Sequence, residues 1–212
     1  MSLTLALSKG KLLAGAEALW LRAGLPFPDA AGRRLVVPLG GIRYLFVKDM
    51  DVPTYVEYGV ADCGIAGRDV LLETAADVLE PLDLGFGRCR LVVAAPRGRA
   101  FDYRRAAAIR IATKYPRVAA THFLERGISA EVVRVHGSVE LAPGLGLADG
   151  IVDVVETGRT LEENGLVPVE EVAASSARLI VNRASQHARR EELHALLGTL
   201  RRVVAEGVEV VR

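Results

Sequence analysis

Cysteine is almost absent from this chain: there are two in 212 residues, Cys63 and Cys89, far apart and outside any metal-ligand spacing. That excludes a disulfide-stapled secreted scaffold and a cysteine zinc site, and fits two reduced core side chains in a cytoplasmic protein. No run approaches the roughly 18 uninterrupted apolar residues of a membrane-crossing helix. The opening Met1-Ser2-Leu3-Thr4-Leu5-Ala6-Leu7-Ser8-Lys9 lacks the charged start and long apolar core of a secretory signal. An excess of one charge sign is missing too. The formal net charge of +1 gives no push toward nucleic acid or a membrane surface. Lysine is scarce, at Lys9, Lys11, Lys48 and Lys114, and Asn and Gln are reduced to Asn164, Asn182 and Gln186. Such arginine-rich composition fits a thermophile or a GC-rich genome. The histidines His122, His136, His187 and His194 share no metal spacing, and His136 reads as a packed strand-end residue. No internal repeat or low-complexity tract is present.

Half of the composition is hydrophobic, enough for one large or two small domains that bury roughly 70% of the unfolded surface. Residues 3–7 read as a strand, followed by Ser8-Lys9-Gly10-Lys11 and a helix over 12–23 closed by Gly24. Residues 36–38 and 42–47 read as short strands around Gly40-Gly41. A helix then starts near Asp51, with Pro53 at an early position. Val60-Ala61-Asp62-Cys63-Gly64-Ile65-Ala66-Gly67-Arg68-Asp69 reads as strand, glycine turn and helix start. Strands over 78–84 and 88–95 complete a first group, and Pro96-Arg97-Gly98-Arg99 marks the crossing into a second. There follow a strand over 109–113, a helix over 116–126 stopped by Gly127, a strand over 130–135 and a helix over 140–148. Extended segments over 166–173 and 177–182 and an amphipathic helix over 189–206 complete the chain. Alternating strands and helices predict parallel α/β sheets with ligands at the carboxyl ends of the strands.

Most of the chemistry gathers in Ile151-Val152-Asp153-Val154-Val155-Glu156-Thr157-Gly158-Arg159-Thr160-Leu161. The apolar, β-branched run broken only by Asp153 predicts a buried strand. Thr157-Gly158 predicts a turn that glycine makes easily, and residues 160–163 open a short helix. Strand, tight turn and helix start aim backbone N–H groups at one point, and the Thr157 and Thr160 hydroxyls add two donors. That is a cradle for a phosphate. Asp153 and Glu156 repel an anion, but they make sense beside a sugar phosphate, where Asp153 accepts from ribose hydroxyls or holds them through magnesium. By itself, Thr-Gly-x-Thr reads more readily as an ordinary turn and a capped helix.

The upstream residues extend the pattern. Gly137-Ser138-Val139-Glu140-Leu141-Ala142-Pro143, then Gly146-Leu147-Ala148-Asp149, then Ile151-Val152-Asp153 and Glu156-Thr157-Gly158-Arg159-Thr160-Leu161 resemble the signature of the ATP phosphoribosyltransferase family. So does the block from Asp51-Val52-Pro53-Thr54-Tyr55-Val56 to Gly64-Ile65-Ala66-Gly67-Arg68-Asp69. Members carry Lys-Gly-Arg where this chain has Lys9-Gly10-Lys11, so charge is kept there but the bidentate fork is not. Other phosphoribosyltransferases carry two adjacent acids at the strand end, and here Val152 stands for the first of them.

The resemblance implies an α/β fold of two hinged lobes with mainly parallel sheets, similar to type II periplasmic binding proteins. Lobe I would comprise residues 1–95 with 179–212, and lobe II, carrying the phosphoribosyl-diphosphate loop, residues 96–178. It implies the first step of histidine biosynthesis: ATP N1 joins ribose C1 of phosphoribosyl diphosphate and pyrophosphate leaves, with Mg²⁺ present. Asp153, Glu156 and Lys9 are the expected catalytic residues. Phosphoribosyl diphosphate is assigned to Asp153, Glu156, Thr157, Gly158, Arg159, Thr160, Lys9, Lys11, Lys48 and Glu140. ATP is assigned to Lys11, Arg68, Asp69 and Lys114. The metal ligands stay open. The chain stopping at Val211-Arg212 implies the short form, which self-associates as a dimer and works with a regulatory subunit similar to histidyl-tRNA synthetase.

Two other classes compete. A two-lobed receptor for a small anion would use the same folds and turns, but it would carry a leader or lipid anchor and have no use for Asp153 with Glu156. A ligand-sensing domain of a regulator would bring a DNA-binding helix pair and a basic patch, and neither is visible here.

Overall fold

The computed structural model describes residues 3–29, 32–98, 101 and 108–207. Met1-Ser2, Arg99 of the expected crossing and the terminal Val211-Arg212 lie outside the described residues. The chain forms two compact units, one from Met1–Arg88 with Ser176–Arg212 and one from Cys89–Ser175.

In the first unit β1 (Leu3–Ser8) leads into α1 (Leu13–Arg22), and β2 (Val36–Leu39) and β3 (Ile42–Val47) form a hairpin. A single 3₁₀ turn at Asp49–Asp51 runs directly into α2 (Val52–Glu57), so the Asp51 side chain does not cap the helix; Pro53 lies in its first turn. β4 (Cys63–Gly67), α3 (Arg68–Thr74) and β5 (Leu79–Asp83) complete the N-terminal part. The returning segment adds β11 (Ala177–Val181), α7 (Arg183–Ala188) and α8 (Arg190–Ala205). Strand order is β2-β3-β1-β4-β11-β5. β1 runs parallel to β3 and β4, while β11 is antiparallel to both β4 and β5.

Helices cover both faces of this sheet. Ala16, Leu19 and Trp20 of α1 join Leu193, Leu196, Leu197, Leu200 and Val203 of α8 on one face. That spacing in α8 is the apolar stripe of an amphipathic helix, and each fully buried leucine contributes roughly 1.5–3 kcal/mol. Val52 and Val56 of α2 and Leu71 of α3 cover Ala6, Leu45, Ala66 and Ile180 on the other.

The second unit comprises β6 (Cys89–Pro96), β7 (Ile109–Thr113), α4 (Pro116–Leu124), β8 (Ala130–Arg134), α5 (Leu141–Gly144), β9 (Gly150–Val155), α6 (Arg159–Glu163) and β10 (Leu166–Ser175). Its order is β10-β6-β9-β7-β8, with β7 parallel to β8 and β9, and β6 antiparallel to β9 and β10. Val118, Ala119 and Phe123 of α4 pack on one face of the sheet. Ala142 of α5 and Leu161 of α6 pack on the other.

Three local expectations change. α5 is four residues rather than a helix over 140–148, because Leu145 is its C-cap and Gly146, at φ 75°, then turns the chain out of the helical region. His136 is exposed, not packed. The strand expected to close the first group, β6, belongs to the second unit, since its partners are β9 and β10. The units therefore divide at Arg88/Cys89 and Ser175/Ser176, against the expected 95/96 and 178/179.

Candidate functional site

In the second unit the parallel strands β9, β7 and β8 put three corners on one edge of the sheet: Glu156-Thr157-Gly158, Lys114-Tyr115-Pro116, and His136-Gly137-Ser138-Val139-Glu140. Thr113, paired with Val152, locks two of them together. Its hydroxyl donates to the Val152 carbonyl at 2.6 Å and accepts the Tyr115 N–H at 2.9 Å.

Gly158 caps α6 at φ 85°, a left-handed conformation that costs an L-residue with a side chain roughly 1–2 kcal/mol. As a glycine, Gly158 offers no side-chain cap to the N–H groups that open α6. Thr157 Oγ1 accepts the Arg159 N–H at a long 3.5 Å, and the side chains of Thr157 and Thr160 are exposed. The turn therefore presents the two threonines to solvent, where their hydroxyls can serve an anion. Leu161 anchors it into the core beneath.

Asp153 is half-buried on the same sheet face as Ile151 and Val155, and its Oδ1 accepts the Val154 N–H at 2.8 Å. Glu140 is half-buried at the start of α5, and Glu156 is exposed. Arg159 turns away: its Nε holds Glu163 Oε1 at 2.8 Å one turn later, with the side chain 84% exposed. Lys114 lies over its neighbour Tyr115, 4.9 Å from the ring centroid. Ser138 has φ 50°, a strained conformation away from glycine and a feature that no sequence pattern announced.

In the first unit the corners after β1, β3 and β4 likewise share one sheet edge. Lys48 follows β3, Lys9-Gly10-Lys11 follows β1 and Arg68-Asp69 follows β4, on adjacent strands. Lys9 Nζ donates to the Gly32 carbonyl and lies 5.1 Å from the Phe46 ring centroid. Lys11, Lys48 and Arg68 are exposed, while Asp69 is buried with its carboxylate folded back on Gly67. The structure thus gathers the expected residues into two groups. Asp153, Glu156, Thr157, Gly158, Thr160, Glu140 and Lys114 lie at one edge of the second unit, and Lys9, Lys11, Lys48, Arg68 and Asp69 at one edge of the first.

Two α/β units with both sheet faces covered, and polar turns ranked along the carboxyl ends of their parallel strands, define a class: the two-unit α/β fold of periplasmic solute-binding proteins. The alkanesulfonate-binding protein SsuA from Xanthomonas axonopodis pv. citri, bound to MOPS, shares that fold at TM-score 0.57 and 14% identity over 95% of this chain and 72% of the other. Within the class the placement is narrower. Residues 48–202 match the family described as HisG, ATP phosphoribosyltransferase. An ATP phosphoribosyltransferase of Moorella thermoacetica is 51% identical over 99% of this chain and 96% of its own length. One from Sorangium cellulosum is 51% identical over 96% of each. The ATP phosphoribosyl transferase (HisG:HisZ) complex from Thermotoga maritima aligns at TM-score 0.86 with 35% identity, covering 96% of this chain and 99% of that one. The chain belongs to the ATP phosphoribosyltransferase family.

Proposed function

We propose that the chain joins N1 of the adenine of ATP to C1 of 5-phosphoribosyl 1-diphosphate, giving N1-(5-phosphoribosyl)-ATP and pyrophosphate, the first step of histidine biosynthesis. The observation that carries this is the cradle after β9, Glu156-Thr157-Gly158-Arg159-Thr160, in a chain matched to its family over nearly its whole length. Adenine N1 is already nucleophilic, so no strong base is required. The barrier lies in breaking the C1–O bond through an oxocarbenium-like state. Catalysis then comes from placing the two substrates and neutralising the leaving pyrophosphate.

We assign the 5′-phosphate to the turn from Glu156 to Thr160 and the ribose hydroxyls to Asp153, with Glu140 orienting the loop. Lys9, Lys11 and Lys48 are assigned to the diphosphate or triphosphate, and Arg68, Asp69 and Lys114 to ATP. Among the described residues no cluster of three or more His, Cys, Asp or Glu side chains stands ready to cage a metal ion. This fits Mg²⁺ carried on the substrate diphosphate with several waters and one or two protein carboxylates, Asp153 being the candidate. Mg²⁺ bound there would withdraw charge from the departing pyrophosphate.

The Thermotoga maritima relative is a HisG:HisZ complex, and we propose that this chain too is a short-form subunit, working in the cytoplasm with a regulatory partner similar to histidyl-tRNA synthetase. No helix among the described residues is long and apolar enough to cross a membrane. The solute-receptor reading keeps support at the level of the fold alone. Incubating the purified chain with ATP, phosphoribosyl diphosphate and Mg²⁺, with and without the partner, and measuring pyrophosphate tests the proposal. No pyrophosphate in either condition, from a folded chain, would sink it.

A further inference from the structure

The cradle after β9 carries a charge problem. Asp153 and Glu156 stand beside the place assigned to a phosphate dianion, yet the turn's own cation, Arg159, is engaged by Glu163 and points to solvent. The neighbouring strand supplies another cation. β6 runs antiparallel to β9 with Arg90 directly opposite Val155 and Val92 opposite Asp153. Directly opposed residues share a face, so Arg90 lies on the Asp153 side of the sheet, diagonal to Asp153 and beside the residue that opens the cradle. Diagonal neighbours are about 7–8 Å apart at Cα, within an arginine's reach.

Arg90 is held in place by a weak partner. Its Nη1 meets Glu171 Oε2 of β10 at 3.5 Å, with the two side chains 52% and 47% exposed. A long, half-solvated ion pair contributes little and exchanges readily for a better anion.

We infer that Arg90 is a further substrate-binding residue of the phosphoribosyl-diphosphate site, moving from Glu171 to an anionic oxygen of the sugar substrate. The inference rests on the reading of the β9 turn given above. Glu171 acts as a competing tether that parks the guanidinium at the sheet edge. Arginine suits the position because its planar fork grips two phosphate oxygens at once, and it keeps its charge at any working pH.

Calorimetric titration of the full chain with phosphoribosyl diphosphate and Mg²⁺, and separately with ATP, tests this on the parent, Arg90→Gln, Arg90→Lys and Glu171→Gln. Arg90→Gln should weaken the sugar substrate about tenfold, the low end for a lost charged hydrogen bond, and leave ATP unchanged. Arg90→Lys should recover part of the loss. Glu171→Gln should tighten the sugar substrate about twofold by freeing the guanidinium. A loss below about fivefold in Arg90→Gln, equal weakening of both substrates, or weakening instead of tightening in Glu171→Gln would overturn the inference and leave the pair a clamp between β6 and β10. A parent chain that binds no phosphoribosyl diphosphate would instead overturn the functional reading on which it rests.

Discussion

The Asp62 carboxylate and the Arg189 guanidinium meet at 3.0 Å, with side chains only 13% and 16% exposed, at the edge of the first sheet opposite the candidate turns. Asp62 Oδ2 also accepts the Thr4 N–H and Oδ1 the Ser185 hydroxyl, each at 2.8 Å. Arg189 grips Glu192 as well, at 2.6 Å. One carboxylate thus ties β1 to the approach to β4 and to the helices of the returning segment. Arg189→Met should cost about 2 kcal/mol, below the usual figure for a broken buried pair because Asp62 keeps two donors and some water. Urea unfolding reads the loss, and substrate affinity should not move. An unchanged urea midpoint would show that the other contacts already hold the joint.

Thr157→Val and Thr160→Val each keep the shape of the cradle and remove one donor beside a dianion. Each should weaken phosphoribosyl diphosphate by about 1–3 kcal/mol with folding nearly intact, since both side chains are exposed. Calorimetry on both variants checks this, and parent-like affinity in the pair would refute the placement of the phosphate.

Asp153→Asn separates a ligand from a structural brace. If Asp153 holds the ribose, the sugar substrate weakens and ATP binding to the free enzyme stays as it was. A variant that melts early yet reacts normally per folded molecule would make Asp153 a brace of β9, where its Oδ1 accepts the Val154 N–H.

Alkaline pH should unfold the first unit through two buried acids. Burial pushes the Tyr44 hydroxyl up to about 12, and its O–H donates to the Pro26 carbonyl. Burial likewise pushes the Cys63 thiol well above its ordinary range. Both folded values lie above the unfolded ones, so the unfolded chain loses these protons first as pH rises. Their contribution is whole below about pH 8.5 and is lost progressively as pH climbs toward the folded values. Melting temperatures from pH 8 upward should fall, with Cys63→Ala flattening the early part and Tyr44→Phe the later. A double variant with the parent's slope would contradict this.

The isolated chain should turn over slowly and respond little to histidine, and the regulatory partner should raise the rate and confer inhibition. A ligand shifts only an equilibrium whose states it binds differently. Strong histidine inhibition of the isolated chain would place the sensing site within these residues and contradict the short-form reading.

Turns were the most legible part of this sequence because their chemistry is local. Gly158 at a β-branched strand end, Gly127 after a helix and Pro53 near a helix start each announce a conformation through their own backbone preferences. Strand partners were not legible, since a pairing such as Arg90 with Val155 joins residues far apart in the chain and leaves no mark on either segment. The antiparallel joins of β11 and β6, and hence the unit boundary, fell in that blind region. α7 was missed for another reason. It buries none of its residues, so it has no apolar stripe, and its one sign is Asn182, whose Oδ1 accepts the Ser185 N–H at 2.9 Å.

The second unit is an insertion between β5 and β11, and this sets an order of assembly. Its strands and helices are contiguous in the chain, so every partner it needs has been synthesised by Ser175. The first unit is still incomplete then. Among the described strands β5 pairs only with β11, and the α8 leucines that close the core over α1 come later still. During synthesis the inner unit can fold while the outer one waits with an open sheet edge and an uncovered apolar face. Any chain stalled or cleaved before β11 would therefore release one finished unit attached to one that cannot close, a species prone to aggregate.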